Sequence, residues 1–171
     1  MTGVRLTVVL DDAAALGAMA RLRAMMADLT PVTTAIGVGL ADNVRDRFEQ
    51  GVDPAGNPWA PLLPAYASVK QGPGILRGPN ASSSGLMASI TSAAAGDQVV
   101  VGSNKVYAAV HQFGARIKPK NARALVFRLA SGVVRVRGVT IPARPYLGIS
   151  EADHETIEDV VEGFLARALR A

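Results

Sequence analysis

The sequence contains no cysteine, which excludes disulfide bonds, thiolate nucleophiles and cysteine metal sites. It has two histidines, His111 and His154, and His154 lacks the second histidine of a zinc-protease helix. No Gly-x-Ser-x-Gly nucleophile elbow occurs. Gly37-Val-Gly39 and Gly72-Pro-Gly74 fit neither phosphate-loop nor dinucleotide-binding patterns. We therefore expect no catalytic residue, no cofactor, no metal and no enzyme activity; only a pair of carboxylates that meet in space is left open.

Long apolar runs and aromatic residues are also scarce. No run approaches the roughly 20 apolar residues of a membrane span, and residues 1–10 are too short and too alternating for a signal peptide. We expect no membrane partner and a cytoplasmic start. Aromatic residues make up 5% of the chain, and Phe127 is the only one between Arg116 and Arg144, which argues against stacking on single-stranded nucleic acid.

Acidic residues are missing from the whole stretch between Gln98 and Ser150. The same stretch holds nine basic residues: Lys105, Arg116, Lys118, Lys120, Arg123, Arg128, Arg135, Arg137 and Arg144. The following segment reverses the sign with six acids: Glu151, Asp153, Glu155, Glu158, Asp159 and Glu162. Such a segregated charge predicts a polyanionic partner, a complementary subunit, or both. The alternative is a solvated basic face that the acidic segment balances.

Hydrophobic periodicity predicts three main helices. The first spans about residues 12–28, with its core face at Leu22, Met25, Met26 and Leu29. The second begins at Thr30-Pro31, ends at Gly51, and buries a stripe spaced every four residues, namely Ile36, Leu40, Val44 and Phe48. The last follows a capping box of Ser150 and Asp153. Its apolar positions are Ile157, Val160, Val161, Phe164, Leu165, Ala168 and Leu169.

The remaining patterns predict strands, short helices and one long connection. Alternation over Val4–Leu10 predicts a first strand, residues 98–101 a buried strand, and residues 124–129 and 133–136 a hairpin. Short helices are expected near 65–70 and 107–113. Residues 51–85 are rich in Gly and Pro, and a loop of this length is functional or partly mobile, with the Ser82–Ser84 run favouring disorder. The fold class is α+β: a single domain over 1–171, with a small, partly antiparallel sheet packed with about three main helices.

Two segments carry turn-forming and aromatic residues together. Asp53-Pro-Ala-Gly56-Asn-Pro is a turn sequence, and the only tryptophan, Trp59, follows it. We favour Trp59 as an anchor of the loop on the core, with a subunit contact as the alternative. In the segment 107–114, Tyr107, Val110 and His111 share one helical face. His111 is expected to be a structural hydrogen-bonding residue rather than a metal ligand.

The segment Pro142-Ala-Arg144-Pro145 is stiff, because the two prolines fix the backbone and restrict the residue before each of them. Arg144 has two alternatives of equal weight. It is either a structural residue paired with an acid of the last helix, or a residue presented to a neighbouring subunit or to DNA phosphate.

Four segments, taken in order and spacing, resemble one known family. They are residues 47–62, from Arg47-Phe48 to Asp53-Pro-Ala-Gly-Asn-Pro-Trp59-Ala-Pro-Leu62; Ile75-Leu-Arg77 with Ser84-Gly85-Leu86; residues 101–114, from Val101-Gly-Ser103 to Tyr107-Ala-Ala-Val-His-Gln-Phe-Gly114; and Ile141-Pro-Ala-Arg-Pro-Tyr-Leu-Gly148. Over about residues 40–165 the chain resembles the phage virion morphogenesis family, the tail-completion proteins of Mu-like and related tailed phages. It departs from the family in an insert between Arg77 and Ser84. The motif residues expected to be structural are Asp53, Gly56, Trp59, Tyr107, His111, Gln112, Phe113, Gly114, Pro142, Arg144 and Pro145.

The resemblance implies a structural assembly protein that completes the tail or joins it to the head. It implies a ring of copies around the DNA channel, for which a hexamer would match tail-tube symmetry, with tail-tube and neck or connector proteins as partners. The expected location is the virion, at the head–tail junction or tail end, and the host cytoplasm during assembly. Candidates for subunit or non-specific DNA contact are Arg116, Lys118, Lys120, Arg123, Arg128, Arg135, Arg137 and Arg144. The alternative function is a stand-alone, non-specific nucleic-acid-binding protein that acts through the basic region 105–144.

Overall fold

A computed structural model describes residues 5–8, 12–79 and 85–170. It confirms an α+β fold, with five helices and small antiparallel ladders. The helices are α1 (Ala13–Ala27), α2 (Thr30–Gln50), α3 (Pro64–Ala67), α4 (Ala108–Phe113) and α5 (Glu151–Arg170), with a 3₁₀ turn at Met87–Ser89. The strands are β1 (Ile90–Ala95), β2 (Gln98–Ser103), β3 (Ala115–Ile117), β4 (Leu125–Leu129), β5 (Gly132–Val136) and β6 (Val139–Ile141).

The strands of the described residues form three separate two-stranded ladders, all antiparallel, rather than one small sheet. β1 pairs with β2, and β4 pairs with β5 as the expected hairpin. β3 pairs with β6, so the β4–β5 hairpin is inserted between two partners of another ladder. The β1–β2 ladder packs closely on α2, since a Cβ at Gly37 would lie 2.7 Å from Val99 Cγ2.

Helix α2 is the centre of the core, and its predicted stripe is confirmed. Leu40, Val44 and Phe48 are buried, and Ile36 is half-buried. The backbone N–H of Thr30 donates to Asp28 Oδ1 (2.9 Å), and Pro31 occupies the first turn. Gly51 ends the helix in a left-handed conformation (φ 71°), with its N–H bonded to Arg47 O. Full burial of each large apolar side chain stabilises the fold by about 1.5–3 kcal/mol.

Helix α5 begins with the predicted capping box and lies against α1 and α2. Ser150 N–H donates to Asp153 Oδ2 (2.8 Å), and Asp153 N–H donates back to Ser150 Oγ (3.4 Å). Helix α1 contributes no fully buried side chain, although Arg21 Nε reaches Ala168 O of α5 (2.9 Å). Met26 lies on the predicted face with Leu22, Met25 and Leu29, toward α2 and α5, but its side chain is 66% exposed and it is not a core residue.

Two strand predictions need correction. Residues 5–8 form no strand, and their apolar side chains Leu6 and Val8 are exposed; the rest of the predicted Val4–Leu10 strand lies outside the described residues. The strand at 98–101 exists as part of β2, but it is only half-buried, because Val100 points away from α2 and is 68% exposed.

The long connection after α2 is braced by hydrogen bonds between its own residues over its described part. Val52 and Pro58 form an isolated antiparallel bridge, and Lys70 Nζ donates to Arg77 O (2.8 Å). The short helix is α3, which ends earlier than the expected 65–70. The Ser82–Ser84 run lies outside the described residues. Among the described helices, no single one is long and apolar enough to cross a membrane; α1 and α2 satisfy that test only together, with a 65° bend between them.

Candidate functional site

The motif segments meet around three buried aromatic rings. Phe48 of α2 packs edge-on against Trp59 (ring centroids 5.4 Å apart) and at a tilt against Tyr146 (5.0 Å). All three are at most 5% exposed. Such pairs are worth about 0.5–1.5 kcal/mol beyond their buried area. We call this cluster of Phe48, Trp59 and Tyr146 the aromatic junction; it joins α2, the long loop and the segment after β6.

Trp59 fixes the loop to the junction within one copy. Its indole Nε1 donates to Pro145 O (2.8 Å), so the buried polar atom is satisfied. Its backbone N–H donates to Gly51 O (2.8 Å), which ties the loop to the end of α2. The side chain is therefore covered by its own chain and is not available to a neighbouring subunit.

The turn before Trp59 is organised by Asp53. Its Oδ1 accepts the backbone N–H groups of Ala55 (2.9 Å) and Asn57 (2.8 Å), and Gly56 takes a positive φ of 83°. Hydrogen bonds from Asn57, first from its side chain and then from its backbone, lower the pKa of the Asp53 carboxyl. The turn also contacts the end of the Pro142–Gly148 segment, because a Cβ at Gly148 would lie 2.7 Å from Pro54 Cγ.

Gln112 of α4 clamps the backbone of the segment after β6. Its Oε1 accepts the N–H groups of Tyr146 (3.0 Å) and Leu147 (3.0 Å), and its Nε2 donates to Leu147 O (2.9 Å). The Tyr146 hydroxyl donates to Ala108 O (3.3 Å), and burial raises the pKa of this phenol. One amide side chain thus replaces the partner strand that these backbone groups would otherwise need.

Gly114 lets the chain turn from α4 into β3 beside the same segment. Its backbone (φ 72°, ψ 160°) belongs to a region that only glycine adopts readily. A Cβ at this position would lie 2.8 Å from Ala143 N and 3.0 Å from Ile141 O. The backbone N–H of Arg144 donates to His111 O (2.7 Å), which completes the contact between the two segments.

Arg144 differs from both sequence alternatives. It is 5% exposed, and its guanidinium donates to the backbone carbonyls of Ala60 (Nε, 2.8 Å) and Pro61 (Nη2, 3.1 Å). Burial lowers its pKa, and the phenol of Tyr66 opposes that shift. Arg144 therefore holds the long loop and does not pair with an acid of α5. In the isolated chain it is also too buried to be a phosphate contact.

The side chains of Tyr107, His111 and Phe113 differ in how far they are buried. His111 lies edge-on to Tyr107 (centroids 5.9 Å), and burial, followed by the positive charge of Arg144, lowers the pKa of His111. Its Nδ1 is buried with no hydrogen-bond partner among the described residues. Phe113, by contrast, is 78% exposed. Pro142 is exposed, and Pro145 is half-buried and accepts the Trp59 indole.

A buried ion pair that the sequence did not predict lies next to the junction. Arg47 of α2 contacts Asp153 of α5 and donates to Tyr146 O (3.1 Å) and Ser150 Oγ (2.8 Å). Burial by itself raises the pKa of Asp153, but hydrogen bonds from Asn43 and Ser150 and the Arg47 charge outweigh it, so the pKa is lowered. The sequence showed Asp153 as a helix cap and as one of six acids of the last helix, and Arg47 only as the first residue of a family motif, so it indicated no pairing between them.

The remaining basic candidates lie away from this junction and on the surface. Seven are exposed: Arg116, Lys118, Lys120, Arg123, Arg128, Arg135 and Arg137. Within residues 5–8, 12–79 and 85–170, none of the seven comes within 4.0 Å of a carboxylate oxygen. The acidic helix α5 therefore does not neutralise them by direct contact in one copy. Exposed cations without partners form a surface suited to an anionic partner.

The residues in and around the aromatic junction make structural contacts. In the described ranges, no three His, Asp or Glu side chains are grouped so that they could hold a metal ion. The polar groups in and beside the aromatic junction contact backbone atoms of neighbouring segments, as those of Trp59, Gln112 and Arg144 do. The sequence motifs thus encode a framework that joins distant segments of the chain.

Comparison with known proteins shows which family the sequence matches. The chain matches the phage virion morphogenesis family over residues 10–166. It is 32% identical over 148 residues, 86% of each chain, to "Mu-like prophage FluMu G protein 2" of Haemophilus influenzae. It is 28% identical over 168 residues, 97% of this chain and 92% of the other, to "Putative capsid assembly protein G" of Escherichia phage Mu. No solved structure matches the chain. Since the family match covers nearly all of the sequence and includes every motif of the aromatic junction, the chain belongs to the phage virion morphogenesis family, whose proteins assemble phage particles.

Proposed function

We propose that this protein is a structural subunit that completes the phage tail or joins the tail to the head, as one member of a ring around the DNA channel. The observation that carries the proposal is a set of seven exposed cations that have no carboxylate partner among the residues the structure describes, on a chain of a virion assembly family. A channel through which a genome passes needs contacts to DNA phosphates that do not depend on the base sequence.

The framework supports a scaffolding role. The polar motif residues form contacts within the chain, around the aromatic junction and the buried Arg47–Asp153 pair. The seven exposed cations, which lie between residues 116 and 137, take no part in these internal contacts. The name of the phage Mu relative refers to capsid assembly, and the family resemblance refers to tail completion; a protein at the head–tail junction satisfies both.

A genetic experiment tests this role. The gene is deleted from the phage or prophage that carries it, and lysates are inspected by electron microscopy with and without a plasmid copy. We expect separate heads and tails, or tails with unfinished ends, and rescue by the plasmid copy. Deletion particles that join normally and infect at the wild-type titre would refute the proposal.

DNA binding by the purified chain separates the proposal from the alternative of a stand-alone nucleic-acid-binding protein. A channel subunit is expected to bind DNA weakly and without sequence preference as a free copy. Tight binding by the free copy, with a steep loss as salt rises, would favour the alternative. Gel shifts over a range of salt concentrations measure the difference.

A further inference from the structure

The β4–β5 hairpin exposes one face that combines two arginines with two valines. The ladder places Val126 opposite Arg135, and Arg128 opposite Val133. Directly opposed residues in an antiparallel pair share a face, and so do residues two apart on one strand. All four side chains are exposed, with Val126 at 59% and Val133 at 58%. We call these four residues the hairpin face; it is cationic and apolar.

Helix α5 exposes a face of the opposite charge. At 100° per residue, positions 158, 161, 162, 165 and 169 lie on one side of the helix. Glu158 and Glu162 are exposed there beside Val161 (36% exposed), Leu165 (37%) and Leu169 (59%). We call these five residues the helix face; it is anionic and apolar.

The helix face borders an apolar groove. The groove lies between α1, α2 and α5, has a volume of about 330 Å³, and is lined almost entirely by apolar side chains. Val161 and Leu165 belong both to its wall and to the helix face, and Met26 on its α1 side is 66% exposed. The groove and the exposed apolar side chains of the helix face are therefore adjacent, and a partner that covers one can cover both.

We propose that the hairpin face of one copy docks on the helix face of the next. Arg128 and Arg135 then lie against Glu158 and Glu162, and the hairpin valines cover the mouth of the groove. The inference rests on the proposed ring role and specifies which surfaces make the ring. A contact between two different faces is heterologous, and such contacts close into rings when the rotation permits.

The occupant is a second copy because the two faces complement each other in charge and pattern and occur on the same chain. Each alternates two like charges with apolar side chains. In the described part of one copy, none of the four charged side chains has an oppositely charged partner within 4.0 Å. The two faces do not pair with each other within one copy. In the described residues α5 packs against α1, and no comparable packing joins α5 to the β4–β5 hairpin.

Charge inversion tests the docking on the purified full-length protein, with self-association measured by sedimentation velocity at low salt. Arg128→Glu with Arg135→Glu inverts the hairpin face, and Glu158→Lys with Glu162→Lys inverts the helix face. Each double variant alone is expected to weaken self-association by about tenfold or more, because like charges then oppose. Association is expected to return when all four changes share one chain, and also when the two double variants are mixed. Matched controls with exposed charges elsewhere, Arg23→Glu and Asp97→Lys, are expected to behave as wild type.

Cysteine cross-linking tests the same contact even where association is weak, because the chain has no cysteine of its own. Copies with Val133→Cys are mixed with differently tagged copies with Leu165→Cys, alone and with purified tails that lack the protein. We expect disulfide-linked pairs from the mixture and not from either variant alone, since the contact joins unlike faces.

Two results would overturn the docking proposal. One is a cysteine mixture that fails to cross-link both in solution and on tails. The other is a hairpin inversion that leaves self-association unchanged and removes DNA binding, which would assign Arg128 and Arg135 to nucleic acid. Both results leave the genetic experiment unaffected. Normal particles from the deletion phage would instead remove the ring role itself, so the two failures are distinguishable.

Discussion

At the residue scale, Gln112 makes three hydrogen bonds with its amide side chain to the backbone beside the aromatic junction. Gln112→Ala removes three bonds and leaves the N–H groups of Tyr146 and Leu147 without their acceptor. We expect a loss of about 2–4 kcal/mol in the free energy of unfolding, since each net bond contributes about 1 kcal/mol and buried unpaired groups cost more. Urea unfolding measures the loss.

A graded pair of variants checks the assignment of Gln112. Gln112→Glu keeps an oxygen acceptor, but its second carboxyl oxygen faces Leu147 O and can replace the amide donor only when protonated; an intermediate loss is therefore expected with the carboxyl protonated, and a larger loss with it ionised. Gln98→Ala, at an exposed position of β2, is the matched control and is expected to change stability by less than about 0.5 kcal/mol. Equal stability of Gln112→Ala and wild type would contradict the clamp.

Asp153 gives the protein a specific response to acid. Its folded-state pKa is lowered, so the unfolded chain binds more protons than the folded chain near the ordinary carboxyl range. The contribution of Asp153 is therefore fully present at neutral pH and is lost as pH falls below about 4. We expect the unfolding free energy of wild type to fall more steeply between about pH 5 and pH 2 than that of Asp153→Asn.

The same variant has an effect at neutral pH. Asp153→Asn leaves the buried Arg47 guanidinium without a carboxylate, and breaking such a pair costs about 3–5 kcal/mol. Thermal and urea unfolding at pH 7 measure this loss. Asp159→Asn, an exposed acid of the same helix, is the control. Parallel stability curves for Asp153→Asn and wild type across the acid range would contradict the lowered pKa.

At the element scale, the turn from α4 into β3 depends on a backbone shape and on close packing at once. Gly114→Ala destabilises the turn in two ways: the φ and ψ of residue 114 are adopted readily only by glycine, and the added Cβ would press on Ala143 N and Ile141 O. Gly96→Ala has only the backbone cost, because its φ is also positive (58°) but no atom lies within 4 Å of the added Cβ. We expect Gly96→Ala to cost about 1–2 kcal/mol and Gly114→Ala clearly more, by urea unfolding.

The sequence predicted elements whose causes are local. The α2 stripe, its left-handed end at Gly51, the β4–β5 hairpin and the α5 capping box all follow from periodicity and turn chemistry, and all are present. The pairing of β3 with β6 was not predicted, because it joins short strands across an inserted hairpin. The strand predicted at 4–10 was wrong over residues 5–8, where an alternating pattern finds no strand to pair with among the described residues.

The candidate site was predictable in its residues but not in its contacts. Trp59, Gln112 and Arg144 were named from their motifs, yet their hydrogen bonds reach across 34–86 positions of sequence. The spacing of residues along the chain does not indicate which distant residues become hydrogen-bond partners. The Arg47–Asp153 pair was missed for the same reason, since its members are 106 residues apart.

At the scale of the whole molecule, six of the seven exposed basic candidates divide between two tasks, and Arg137 is assigned to neither. The hairpin arginines, Arg128 and Arg135, are assigned to the contact between copies. Four others are left for phosphate, namely Arg116 on the edge of β3 and Lys118, Lys120 and Arg123 in the loop that follows it; we call these four the loop cations. This division makes the effects of the two sets separable in experiment, because only the loop set should change the salt dependence of DNA binding when the copies are already assembled.

The last prediction follows from that division. With all four loop cations changed to Gln, DNA binding by the assembled protein is expected to weaken at every sequence tested. The slope of log affinity against log salt should fall by about 0.9 for each phosphate contact removed. Arg23→Gln on α1 is the control for loss of an exposed charge. Self-association should be unchanged in the loop variant, since the hairpin and helix faces are intact. A loop variant that keeps the wild-type salt slope would place the phosphate contacts elsewhere on the molecule.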